Sequence, residues 1–220
     1  MDDLLADPLA EIWPPFGVRV TCGPLVLRPV RDTDFPEVFE VLHRGVHSPD
    51  RMPFYVPWTR ATGVELERQF LQYHWGLRSS FSRDAWALDL GVWREGQFVG
   101  MQGVSTKDFP VTRTGETGSW LGQVHHGHGT GTLMRQAICV VCFDHLGFEE
   151  VTSGAFTDNP ASLGVSRKVG YRPAGERRLS REGRLAVNRT LVLRPEDLVR
   201  PPYDVAVEGV EPFLAQVLAT

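Results

Sequence analysis

Hydrophobic positions along this chain change their period several times, and each change marks a boundary. Residues 25–30 form a short apolar run interrupted by Arg28, which predicts a strand. The polar stretch Arg31-Asp32-Thr33-Asp34 stops it, and Asp32 or Asp34 is suited to cap a helix running to about Arg44. Residues 63 to about 81 carry apolar or aromatic side chains at Val64, Leu66, Phe70, Leu71, Tyr73, His74 and Leu77, close to helical spacing. Residues 86–93, 97–104 and 114–121 then read as successive strands, the first two joined by the hairpin turn Arg94-Glu95-Gly96. A long amphipathic helix over 132–146 is predicted to stop at Gly147, because glycine accepts the left-handed backbone that ends many helices. A strand at 150–156, a helix at about 160–169 ending at Gly170, and two strands around 171–179 and 185–193 turning at Glu182-Gly183 complete the pattern. The order strand, helix, helix, three strands, helix, strand, helix, two strands predicts a mixed α/β domain.

Two kinds of segment fall outside this regularity. Residues 47–58 hold three prolines among Met52, Phe54, Tyr55 and Trp58, too broken for a helix or a central strand. The chain also divides at its ends: an arm over 1–24, set off by Pro14-Pro15-Phe16-Gly17, a domain over 25–194, and a tail over 195–220. The tail is weakly amphipathic from 207 to 218, which suits docking on its own domain or on a second subunit to make a homodimer.

Composition narrows the partners. With 220 residues, 42% hydrophobic and 23% charged, and a net charge of −4, the chain can bury a full core but lacks the basic excess that nucleic acid binding requires. Neither a signal peptide at Met1-Asp2-Asp3-Leu4-Leu5 nor an 18-residue apolar run is present, so a cytoplasmic protein without membrane contact is expected. Cys22, Cys139 and Cys142 are odd in number and no second Cys or His pair completes a zinc set; reduced core residues are the expectation.

The chemistry concentrates in Val124-His125-His126-Gly127-His128-Gly129-Thr130-Gly131-Thr132, a glycine-rich turn opening directly into a helix. Helix starts leave backbone N–H groups unpaired at the positive end of the macrodipole, and glycines let an anion approach them, which predicts a site for a pyrophosphate-bearing cofactor. The turn lacks the Lys-Ser/Thr of a nucleotide P-loop and does not suit a dinucleotide fingerprint. Its histidines are placed for phosphate rather than metal, and no metal is expected.

A second block, Asp158-Asn159-Pro160-Ala161-Ser162-Leu163-Gly164-Val165-Ser166-Arg167-Lys168-Val169-Gly170-Tyr171, follows at a telling distance. Together the blocks resemble the GNAT superfamily of N-acetyltransferases. The turn matches its Gln/Arg-x-x-Gly-x-Gly/Ala signature with His126 in the Gln/Arg place. The later block keeps Asn159, Ser162, Lys168, Gly170 and Tyr171 of the family's helix, and Ser166 replaces the helix tyrosine. Asn-x-x-Ser, with Trp120-Leu121 closing the preceding strand, resembles the RimJ/RimL branch, whose best-known members acetylate protein N-termini. The blocks span about 112–193, and the core from 25 to 193 follows the family's order of elements.

The resemblance implies a GNAT fold: a twisted mixed sheet of about seven strands splayed around acyl-CoA, with about four flanking helices. It further implies that Ser119, Trp120 and Leu121 offer backbone bonds to the pantetheine arm, that His126, Gly127, His128, Gly129, Thr130, Gly131 and Thr132 hold the pyrophosphate, and that Asn159, Ser162 and Lys168 complete the cofactor site. The amine attacks the thioester directly, with acetyl-CoA as donor. Ser162 is then the first choice to protonate the departing thiolate and Ser166 the second; the alternative for Ser162 is a small residue packed against the cofactor. For the base, some related ribosomal-protein acetyltransferases carry glutamate at the position of Gly154. Here Glu116 leads, ahead of Asp158, His74 and His47, with a water chain as an equal alternative. Some actinobacterial relatives look like succinyl-CoA users, and this Arg-, Val-, Ala- and Gly-rich chain has an actinobacterial character; Arg44, Arg51, Arg78, Arg83 and Lys107 are candidates for an acyl carboxylate. A non-catalytic acyl-CoA sensor is the rival from another class. Phe54, Tyr55, Trp58 and Trp75 either line the acceptor cleft or close the core.

Overall fold

Alternating burial along the strands sets the architecture. The computed structural model describes residues 8–218; residues 1–7 and 219–220, the outermost parts of the expected arm and tail, lie outside the described residues. The strands are β1 (Arg19–Cys22), β2 (Leu25–Pro29), β3 (Ala87–Arg94), β4 (Gln97–Thr106), β5 (Thr114–Leu121), β6 (Glu150–Phe156), β7 (Arg172–Arg181), β8 (Arg184–Leu193) and β9 (Val205–Glu208). The helices are α1 (Pro8–Ile12), α2 (Phe35–His43), α3 (Gly63–Ser79), α4 (Phe109–Thr112), α5 (Thr130–Val140), α6 (Pro160–Val169) and α7 (Val210–Leu218).

The strands form one sheet in the order β7-β8-β6-β5-β4-β3-β2-β1-β9. Every neighbouring pair is antiparallel except β5 and β6. Nine strands replace the expected seven because both terminal segments join the sheet. β1, from the expected arm, pairs with β2 and with β9, from the expected tail. Four-residue strands carry too little periodicity to be read from sequence, and while β1 forms a tight hairpin with β2, its pairing with β9 is non-local.

Side chains that alternate inward on the two faces build two cores. One face, with Leu25, Leu27, Leu88, Leu90 and Val104, packs against Met134, Ala137 and Ile138 of α5 and against Val210, Phe213 and Val217 of α7. The other face, with Trp93, Phe98 and Met101, packs against Phe35, Val38 and Val41 of α2 and Leu66 and Phe70 of α3. Both expected hairpin turns hold: Glu95-Gly96 (φ 53° and 82°) and Glu182-Gly183 (φ 53° and 76°) have two positive φ angles, which matches the twist of the flanking strands. The helix expected over 132–146 begins two residues earlier and changes character: α5 gives way to a π-helical turn at Val141–His145, where the Leu146 amide donates to the Val141 carbonyl at 3.0 Å.

Candidate functional site

The sheet opens at its one parallel junction. β5 and β6 pair only through Thr114–Glu116 with Glu150–Thr152; beyond that β5 stays with β4 and β6 with β8. The result is a wedge-shaped gap between residues 117–121 and 153–156, open toward the glycine turn.

At the open end, the glycine turn runs directly into α5. Gly129 is the N-cap of α5 in left-handed geometry (φ 79°) with no side-chain cap. The N–H groups of Thr132 and Leu133 donate to the Gly129 carbonyl at 3.1 Å each. Those of Gly127, His128, Gly129, Thr130 and Gly131 find no partner among the described residues. A row of unpaired amides at a helix N-terminus has the chemistry to take an anion. Around it, Arg94 donates to Thr130 Oγ1 at 2.7 Å and His126 Nε2 lies 3.1 Å from the Leu121 carbonyl, fixing the turn to the ends of β3 and β5. Burial, followed by the charges of His128, His126, Arg44 and Arg94, holds His125 below the usual imidazole value. Arg94 was not foreseen; a strand-end arginine gives no sequence signal for a contact across 36 residues.

The closed end of the wedge is held by Arg135, which sequence reasoning also missed. This α5 residue is 4% exposed and reaches three strands: Nε donates to Gln102 Oε1 (3.0 Å), Nη1 to Thr117 Oγ1 (3.3 Å) and Ser153 Oγ (3.1 Å), and Nη2 to Ser119 Oγ (2.7 Å). All four partners are neutral. Thr117 and Ser119 lie on β5 and Ser153 on β6, so the guanidinium ties the strands together where their backbone pairing ends. Its signal was visible: an arginine among Met134, Ala137 and Ile138 on a helix that is buried nearly all round.

The remaining expected residues differ in burial and partners. Asn159 caps α6, accepting from the Ser162 amide at 3.2 Å, and leaves Ser162 half-buried at the helix start. Ser166, one turn on, is 2% exposed and its hydroxyl has no partner among the described residues. Lys168 is exposed near the end of α6. Trp120 packs its ring against Trp58 (5.8 Å) and Phe70 (6.2 Å) and has its backbone on the wedge.

Glu116 is exposed on the face that carries α2 and α3, and a methyl built on Gly154, across the gap, would lie 3.6 Å from Glu116 Oε1. The other expected bases are occupied. Asp158 is bound by Arg181, which holds its carboxyl below the usual value. His47 engages both ring nitrogens, with the Ser48 carbonyl and Thr59 Oγ1. Burial and Arg78 lower His74 to about 4. The aromatic residues divide: Phe54 and Trp58 pack on the α2/α3 core, whereas Tyr55 (60%) and Trp75 (46%) are exposed. Arg78 is spent on Asp32 and the Val30 carbonyl. The three cysteines are free and buried, and no cluster of three metal-ligating side chains exists among the described residues. No helix of the described residues is long and apolar enough to cross a membrane.

Comparison with known proteins fits this geometry. The family model for the acetyltransferase (GNAT) domain matches residues 24–172. Among solved structures, Mycobacterium smegmatis RimJ in complex with CoA-disulfide is similar at a TM-score of 0.69 with 18% identity, covering 91% of this chain and 94% of that one. RimL, the ribosomal L7/L12 α-N-protein acetyltransferase in complex with coenzyme A, gives 0.61 and 14%, covering 78% and 94%. A GNAT-family acetyltransferase from Bacillus anthracis gives 0.63 and 18%, covering 81% and 99%. At these identities the structures share the fold.

Proposed function

The chain belongs to the GNAT acetyltransferase family and is an N-acyltransferase, and from that premise we propose that it moves an acetyl group from acetyl-CoA to a primary amine, on a protein N-terminus or a small molecule, by direct attack. One observation carries this reading: the wedge between β5 and β6 ends in a turn whose five consecutive unpaired amides suit a pyrophosphate. The RimJ and RimL structures, similar in fold, hold CoA, and RimL acts on a protein N-terminus. In the reading, pantetheine lies along Ser119, Trp120 and Leu121, and Asn159 and Lys168 flank it. Ser162 at the start of α6 supplies a proton to the thiolate, and Glu116 meets the incoming ammonium. A cytoplasmic setting suits such an acceptor.

A succinyl donor is the second reading, favoured by Arg135. It is a buried cation at the closed end of the wedge with only neutral partners, so a carboxylate at the far end of the acyl chain would supply the missing counter-charge.

Gly131→Val tests the cofactor site cleanly. A Cβ there would make only ordinary contacts, 3.5 Å to Val165 and 3.6 Å to Leu121, whereas Gly129 needs its positive φ. Calorimetry should show CoA affinity reduced by at least about 100-fold while the melting temperature moves little, since valine in a helix costs roughly 0.5 kcal/mol more than alanine. Unchanged affinity in the folded variant rejects the site. Thiol release from acetyl-, propionyl- and succinyl-CoA against a panel of peptide N-termini and small amines identifies the donor, and silence across the panel rejects catalysis in favour of an acyl-CoA sensor.

A further inference from the structure

On the face of the sheet opposite α5, one register row crosses the wedge almost without side chains. Asp89 of β3 stands opposite Gly103 of β4, Gly103 opposite Gly118 of β5, and Gly154 of β6 lies beyond the gap. Space above Gly118 is open, since a Cβ built there meets nothing within 4 Å. The neighbouring rows rise on both sides, with Met101 and Trp120 on one and Ser105 and Glu116 on the other. A glycine-floored trough thus leads to the wedge, and a carboxylate closes its inner end.

That carboxylate is aimed along the trough. A Cβ built on Gly103 would lie 2.7 Å from Asp89 Oδ1, so this oxygen lies over Gly103, about one strand spacing of ~5 Å from Gly118. Oδ2 turns the other way, 3.7 Å from His74 Nδ1 under α3. Among the residues around the pair, Arg78 acts on His74 and is itself bound to Asp32, and Tyr73 feels the charge of Asp89. Asp89 keeps 18% of its side-chain exposure, and a cavity lined by Phe16, His74, Arg78, Phe81 and Asp89 opens beside it to solvent. The residue stands between the trough and a separate water-accessible space.

We propose that Asp89 is the proton acceptor for the incoming amine, taking a proton from the ammonium through one water in the trough and returning it to solvent through the cavity beside His74. The proposal rests on the acyltransferase reading above. The ammonium N–H bond breaks, its proton passes to the Asp89 carboxylate, and the freed nitrogen lone pair attacks the thioester carbon. The C–S bond then breaks with its electron pair on sulfur. The second proton lost by nitrogen ends on the thiolate, relayed at Ser162, so amide, CoA thiol and a protonated Asp89 remain. Glu116, exposed at the rim, attracts the ammonium as a charge. Burial pushes the Asp89 carboxyl up to about 7, where a carboxylate is an effective base at neutral pH, while His74 stays neutral beside it.

The test is the pH profile of kcat/KM for the amine, measured with the full chain, acetyl-CoA and the best amine of the panel. The wild type should lose activity below about pH 7. Asp89→Asn should abolish that limb, lower kcat/KM about 100-fold at pH 7.5 and leave calorimetric CoA affinity unchanged; Asp89→Glu should restore part of the limb. Glu116→Gln should raise the KM of the amine and keep the limb. A limb that persists in Asp89→Asn, or that disappears only in Glu116→Gln, overturns the assignment while the acyltransferase reading stands. If Asp89→Asn fails to bind CoA, Asp89→Glu carries the decision: an unmoved limb and unchanged rate in that variant also overturn it. A wild type that acylates no amine overturns both readings.

Discussion

Ser162 and Ser166 stand one turn apart on α6, yet their surroundings differ. Ser162 is half-buried at the start of α6 with its amide on the Asn159 cap, whereas the Ser166 hydroxyl is enclosed without a partner among the described residues. A buried hydroxyl that bonds to nothing forfeits its hydration, a cost of roughly 1–3 kcal/mol. Ser166→Ala is therefore expected to leave stability unchanged or raise it by up to about 1 kcal/mol in urea titration, with kcat unaltered, while Ser162→Ala lowers kcat and spares CoA affinity. A loss of kcat confined to Ser166→Ala would reverse the assignment. The motif carrying both serines was legible because it is local and contiguous. Which serine is enclosed was not, since helical phase relative to the sheet is a tertiary property. Asp89 shows the complementary case: a lone carboxylate in the apolar strand Trp86-Ala87-Leu88-Asp89-Leu90 stands out in the sequence, but that Gly103 of β4 and His74 of α3 face it is set by strand register and helix phase, which are tertiary properties.

Elements were read best where periodicity and punctuation agreed, as at α6, bounded by the Asn159 cap and by Gly170 at φ 109°. α5 was read less well, for a physical reason. A helix buried almost all round has no polar stripe, so the sequence pattern marks its extent but not its contacts, and the conversion to π geometry at Val141 leaves no compositional mark. Its interior arginine belongs to the strands more than to the helix. Beyond Glu116 and Thr152 the backbone ladder between β5 and β6 is gone, and side chains replace it: Arg135 bonds both strands, Ser153 Oγ donates to the Thr117 carbonyl at 3.1 Å, and Gln102 donates to the Gly118 carbonyl at 2.9 Å. Arg135→Met strands several buried acceptors at once. It should destabilise the fold by about 1–3 kcal/mol, the cost of leaving buried neutral polar groups without their hydrogen-bond partner. Arg135→Lys should recover less than half, because a single ammonium cannot span acceptors on three strands. A melting temperature insensitive to Arg135→Met would show that the junction is held by backbone and apolar packing alone.

At the scale of the whole molecule, the central strands, β2 to β8, follow from the pattern between residues 25 and 193 and the splayed junction from the family resemblance, while the sheet edge built from the two terminal segments follows from neither. Edge formation there depends on one close approach. Gly209, at φ 67° between β9 and α7, brings its Cα against Gly17, and a Cβ built on it would lie 2.0 Å from the Gly17 carbonyl oxygen. The contact sets α7 on the core, where Phe213 meets the Trp86 ring edge-on at 5.0 Å. The opposite edge, β7, needs no such cover, because Arg172, Arg177, Arg178 and Arg181 charge it against further pairing. Gly209→Ala imposes both an unfavourable φ and a steric overlap with backbone that cannot rotate away, so the terminal seam should open. A loss of about 2–4 kcal/mol is expected, a fall of roughly 5–15 °C in melting temperature for a chain of this size. Because β2, β3 and β4 separate the wedge from this seam and Arg94 of β3 holds its turn, CoA affinity at 20 °C should persist in the variant. Hydrogen exchange should speed at residues 205–218 while 130–140 stays protected. If exchange instead rises evenly through both regions, the terminal strands are integral to one cooperative unit with the cofactor site, and the seam does not open on its own.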